Sequence, residues 1–140
     1  MHPSDILLVV EATCVLRAIH YGLRWLRYPV LLRFLQKSAG VAVRRQAQSD
    51  AVDPEDRVLW AIGWVWRKGI CVPSCLEEAL GVQWMLRRRH IESQVRIGVV
   101  KTDEGTLLGH AWAERDGRIV SVDPVSPARY TVLTPQIIGE

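Results

Sequence analysis

The stretch CVPSCLEEAL, residues 71–80, contains a cysteine in a position suited to nucleophilic chemistry. Ser74 followed three residues later by Glu77 has the spacing of a capping box, so Cys75 is expected to be the first residue of a helix. At a helix start the free backbone N–H groups and the helix dipole favour a thiolate. The same N–H groups can donate to the oxyanion of an acyl-transfer intermediate. The plain alternative is a buried structural thiol, the commonest fate of a free cysteine. Cys71 is the rival nucleophile, but it sits in the preceding loop without the helix-start position. Cys14 falls inside an apolar helix and reads as packing.

The natural partners of a thiolate lie in GHAWAERDGRIVSVDP, residues 109–124. Asp116-Gly117 between two alternating runs signals a two-residue hairpin turn. Counting outward pairs Arg115 with Arg118 and puts His110 opposite Asp123. Directly opposed residues share a face, with Cβ atoms roughly 4.5–5.5 Å apart. An imidazole and a carboxylate so placed can act as a general base and the group that orients it. The competing reading is a polar cross-strand pair on an exposed face. Glu114 and Asp116 are the other acids nearby. Glu114 shares the His110 face but is four residues along, roughly 13 Å at the rise of a strand. Asp116 belongs to the turn itself.

The elements that must position these residues follow from periodicity. A first helix is expected after Ser4 as N-cap, running to about Tyr28 before Pro29. Thr13, Arg17, His20, Arg24 and Arg27 form a narrow polar stripe on it, and the rest is largely apolar. That apolar surface must be covered by the same domain, by a partner protein or by a membrane surface. A short helix over residues 30–37 is expected next, then a polar, small-residue linker over residues 39–53. Asp53 as N-cap and Pro54 at the first helical position open another helix, which Lys68 and Gly69 close. The helix beginning at Cys75 extends to about Arg89. From there the period changes to two, giving strands over residues 94–101, 106–115 and 118–123, and a short one within residues 129–133. Helices followed by an antiparallel sheet make an α+β layout.

Bulk properties narrow the function classes. The chain has 140 residues and a net charge of +3, a mild excess that does not indicate nucleic acid. Three cysteines and a start without a basic n-region or cleavage site argue against a disulfide-stapled secreted domain. A cytoplasmic setting is expected. Charged residues interrupt the N-terminal apolar stretch, so no transmembrane segment is expected. Cys71, Cys75 and a histidine such as His90 or His110 do not complete a four-ligand metal set. No glycine-rich phosphate loop is present. No cofactor is expected.

The segment CLEEALGVQWMLRRRHIESQVRIGVV followed by HAWAERDGRIV resembles the lasso-peptide leader peptidases. These are the transglutaminase-like peptidase halves of split lasso-peptide maturation proteins. The resemblance covers nearly the whole chain. It is strongest from Cys75 to Val120 and weakest over residues 39–53. It implies a papain-like or transglutaminase-like core over residues 54–140, with an N-terminal helical arm and linker over residues 1–53. It also implies a Cys75–His110–Asp123 triad. The partners it implies are a ribosomally made precursor peptide, a small leader-recognition protein and an ATP-dependent cyclase. Two other readings share the fold: an acyltransferase in which an amine replaces water, and a non-catalytic module that docks partners.

Overall fold

The computed structural model describes residues 2–25, residues 53–122 and the backbone of residues 131–132. Helices α1 (Pro3–Trp25), α2 (Pro54–Arg67) and α3 (Cys75–Arg88) precede strands β1 (Gln94–Lys101), β2 (Leu107–Arg115), β3 (Arg118–Val120) and β4 (Thr131–Val132). The strands form one sheet in the order β3-β2-β1-β4, and every pairing is antiparallel. The α+β layout is therefore as expected. The helix expected over residues 30–37 and the linker over residues 39–52 lie outside the described residues.

α1 starts two residues earlier than the Ser4 cap implies. Pro3 is its first residue, where a missing N–H costs nothing. The His2 carbonyl accepts from the Asp5 and Ile6 amides. Asp5 returns a carboxylate oxygen to the His2 amide. α2 and α3 both end in Schellman turns. Gly69, at φ +69°, follows α2, and His90, at φ 59°, takes the same left-handed position after α3. The Ile70 amide bonds back to Val65, and that of Ile91 to Leu86.

The three helices pack on one another, and α3 also packs on β1 and β2. One side of α1 (Leu8, Ala12, Leu16, Ile19) meets Val58, Ile62 and Val65 of α2 and Leu80, Met85 and Leu86 of α3 in a shared core. Gly81 lets the helices approach closely, because a Cβ there would lie 3.0 Å from Leu16 Cδ2. On the sheet, Val95, Ala111, Ala113 and Val120 join this core. α1 is long and apolar enough to cross a membrane by length and composition, yet this side of it is packed inside the protein. Its other side leaves Leu7, Val10, Tyr21 and Trp25 exposed, Trp25 to 81%. Cys14 is also exposed, not packed as the apolar context suggested, because it falls on that outer side.

Two carboxylates hold the hairpin of β2 and β3 to the helices. Arg115 and Arg118 are directly paired across it, a like-charge opposition that is unfavourable unless neutralised. Glu55, buried in the first turn of α2, accepts from Arg115 at 2.6 Å and lies 3.5 Å from Arg118. The hydrogen bond to Glu55 keeps the Arg115 guanidinium firmly protonated. The turn between the strands has Asp116 at φ 51° and Gly117 at φ 75°, the paired left-handed conformation of a type I′ turn. Gly117→Val should therefore cost about 1–2 kcal/mol, since a side chain is strained in that conformation. A lower urea midpoint with an unchanged slope is the expected readout, and an unchanged midpoint would contradict it.

Candidate active site

Cys75 is the first residue of α3, with Ser74 as N-cap. The capping box forms in full: Ser74 Oγ accepts from the Glu77 amide at 3.3 Å, and Glu77 Oε2 accepts from the Ser74 amide at 3.2 Å. The cap holds the start of α3 rigid while leaving Cys75 half-buried at the edge of the core. A reactive thiol needs that combination of a fixed backbone and partial access.

The polar stripe of α1 meets this helix start. Arg17 Nη2 donates to the Ile70 carbonyl at 3.0 Å, bracing the loop between α2 and α3. His20 Nδ1 lies 3.0 Å from Glu77 Oε1, so Glu77 serves the capping box and α1 together. Farther along, Glu11 accepts from Arg88 at 3.2 Å and from Arg89 at 3.0 and 2.8 Å. Arg88 also covers the ring of Trp84. The basic run at the end of α3 thus binds α1 as well as complementing the helix dipole. Sequence reasoning missed Glu11, although an acid inside an apolar helix is a signal that a cation must meet it.

The two loop-and-helix cysteines have different surroundings. Burial pushes the Cys71 thiol up, Arg17 pulls against that shift, and Glu77 adds to it. Cys71 is therefore mostly a neutral thiol near pH 7, which suits packing better than attack.

His110 lies on β2, the strand on which α3 packs. It is paired with Gly98 of β1, so no side chain stands directly opposite it on that strand. Because Ala111 and Ala113 turn into the helix-facing core, strand alternation puts His110, Trp112 and Glu114 on the other face. The rings of His110 and Trp112 stack, with centroids 6.1 Å apart and planes at 23°. Trp112 Nε1 donates to Glu114 Oε2 at 3.4 Å, and Glu114 lies 3.6 Å from Arg96 Nε. Glu114 is thus committed to Trp112 and Arg96. Asp116 is at the hairpin tip with its side chain 83% exposed. The observed register pairs Arg115 with Arg118, Glu114 with Ile119 and Ala113 with Val120, as counted from the turn. β3 ends at Val120, and Asp123 lies outside the described residues.

Sequence reasoning also missed Glu78. Its Oε1 accepts from Ser121 Oγ at 2.9 Å and from the Val122 amide at 2.7 Å. The end of β3 is thereby joined to the first turn of α3.

Helices packed on one face of an antiparallel sheet, one of them led by Cys75, form an α+β core, and His110 lies on the sheet face turned away from α3. Residues 7–135 match the Transglutaminase-like superfamily, and the chain belongs to that superfamily. No curated protein and no solved structure gives a significant match.

Two outcomes are expected. Ser74→Ala should lower stability by about 1 kcal/mol, read from the denaturation midpoint, because the α3 cap is lost. In peptide-mapped alkylation at pH 7, Cys71 should label more slowly than a cysteine in an unstructured peptide. Equal rates would show that burial does not protect it.

Proposed function

We propose that this protein is a cysteine peptidase that removes the leader from a lasso precursor peptide before macrolactam closure. The observation that carries the catalytic part is the placement of Cys75 as the capped, half-buried first residue of α3 within a transglutaminase-like superfamily domain, while the role of His110, on the sheet face turned away from α3, rests on the resemblance. That superfamily uses a fold of the peptidase and acyltransferase type. The narrower reading of leader cleavage rests on the resemblance of the Cys75 and His110 segments to the lasso leader peptidases.

In this reading the Cys75 thiolate attacks the carbonyl carbon of the last leader residue. The oxyanion that forms is held in part by the Cys75 amide. As the C–N bond breaks, protonated His110 gives its proton to the leaving amine, which becomes the new N-terminus of the core peptide. The leader remains as a thioester. His110 then takes a proton from water as it attacks, and collapse of the second intermediate releases the leader carboxylate and the cysteine. Asp123 orients the imidazole and supports its charged form. The step needs no metal or nucleotide. A small leader-recognition protein presents the precursor, and an ATP-dependent cyclase uses the freed amine. The setting is cytoplasmic.

The assay is cleavage of precursor peptide in the presence of the recognition protein, followed by mass spectrometry. Cys75→Ala should lower turnover by roughly 10⁴-fold or more, because the covalent route is lost. Cys71→Ala should cleave normally. Continued cleavage by Cys75→Ala would remove Cys75 from the mechanism. Asp123→Asn should slow turnover by roughly 10²- to 10⁴-fold with the fold intact. Full activity in that variant would exclude Asp123 as the orienting acid.

A further inference from the structure

We propose that the outward side of α1 is a membrane-docking surface, through which the protein lies on an anionic lipid bilayer without crossing it. This attachment is independent of which residues carry out the chemistry.

Leu7, Val10, Cys14, Ala18, Tyr21 and Trp25 are all exposed and recur at steps of three and four, so they form one strip along α1. Leu7 is 63% exposed and Trp25 81%. The opposite side, with Leu8, Ala12, Leu16 and Ile19, is packed in the core. α1 therefore has two apolar sides, and folding covers only one of them. Its length and hydropathy would suit a membrane span, but spanning would pull the inner side out of the core. A helix held in this way meets a bilayer by lying in the plane of the interface.

The charges beside the strip select the partner. α1 contains two acids, and arginines of other elements match both. Asp5 lies 3.1 Å from Arg57, and Glu11 meets Arg88 and Arg89. Arg17 and Arg24 are exposed and, seven residues apart, line one edge of the strip. Their long side chains can reach lipid phosphates while the strip enters the acyl boundary. Tyr21 and Trp25, at the C-terminal end, are residue types that favour the headgroup level. The loop before α3 adjoins the same edge, because Arg17 donates to the Ile70 carbonyl at 3.0 Å. Ile70 and Val72 of that loop are exposed as well, so the apolar surface continues beyond the helix. A second copy of the chain fits less well. In an antiparallel pair related by a two-fold axis each edge of the strip meets its own counterpart, so two arginine-lined edges would oppose each other.

The test measures co-sedimentation of the unlabelled full-length protein with lipid vesicles. Vesicles of equal parts phosphatidylcholine and phosphatidylglycerol should carry the protein down. Vesicles of phosphatidylcholine alone should bind at least roughly tenfold more weakly, and added salt should weaken the anionic binding. Leu7→Ser combined with Trp25→Ser should lower binding by at least roughly tenfold, because both apolar anchors are lost. Arg24→Glu should lower binding to the anionic vesicles by roughly tenfold or more. Circular dichroism checks the fold of each variant, and if the double variant fails to fold, Arg24→Glu decides. A second readout uses full-length protein with Cys71→Ala and Cys75→Ala, so that Cys14 in the strip is the sole thiol and carries the environment-sensitive fluorophore NBD. Its emission should move to shorter wavelength with the anionic vesicles. Absence of binding to those vesicles overturns the proposal, as does binding undiminished in the folded variants. Binding without an NBD shift places the contact on another surface and overturns it too. A dimer seen without lipid and abolished by the double variant assigns the strip to a second copy instead. An NBD shift caused by the leader-recognition protein but not by vesicles assigns it to a protein partner, and either result overturns membrane docking.

Discussion

The structure depends on holding a short hairpin against helices that are not covalently near it. β3 has only three residues, too few for strand pairing alone to fix its place. Glu55 of α2 grips the turn end through Arg115 and Arg118, and Glu78 of α3 grips the far end through Ser121 and Val122. Between them, Val120 is buried in the core and Val122 packs against it. Apolar packing provides the bulk of the attraction but slides easily. The two carboxylates supply direction, because each must meet its donors at one geometry.

The same logic attaches α1. Its inner side is apolar and could pack on α2 and α3 in several registers. Glu11 with Arg88 and Arg89 at one point, and His20 with Glu77 at another, select one of them. The second contact ends at Glu77, the acid of the capping box, two residues after Cys75. The N-terminal helix is therefore part of the structure that shapes the nucleophile's surroundings. Arg17 reinforces this by holding the Ile70 carbonyl of the loop that leads to Cys71 and Cys75. What remains outward on α1 is an apolar strip from Leu7 to Trp25, with Cys14 among it.

The cysteines show how local chemistry is divided within one loop and helix. Four residues separate Cys71 from Cys75, but burial raises the first thiol while the second begins a capped helix. On the sheet, Trp112 is buried on the face it shares with His110 and stacks on the imidazole. Glu114 and Arg96 extend that face into an ion pair. The Trp112 ring on its own strand thus packs against the imidazole, while the strand partner Gly98 brings no side chain opposite it.

Much of this was legible from the chain alone. Capping signals around Ser74 and Asp53, the Asp-Gly turn and the change of period near residue 94 are local, and local rules act over a few residues. They determined the starts of α2 and α3, the strand order along the chain and the register of the hairpin, including the pairing of Arg115 with Arg118. Two opposed arginines are unfavourable by themselves, and an acid must neutralise them. Which acid does so was not legible. Glu55 is 60 residues away from Arg115, Glu11 is 77 from Arg88, and Glu78 is 44 from Val122. In the sequence each resembles any other surface carboxylate at a helix start or face. Only the packing of helices on the sheet, set by apolar burial over the whole chain, brings those distant groups within hydrogen-bonding distance. The sequence by itself decided where α2, α3 and the hairpin turn begin, while the tertiary structure decided which charges hold those elements together.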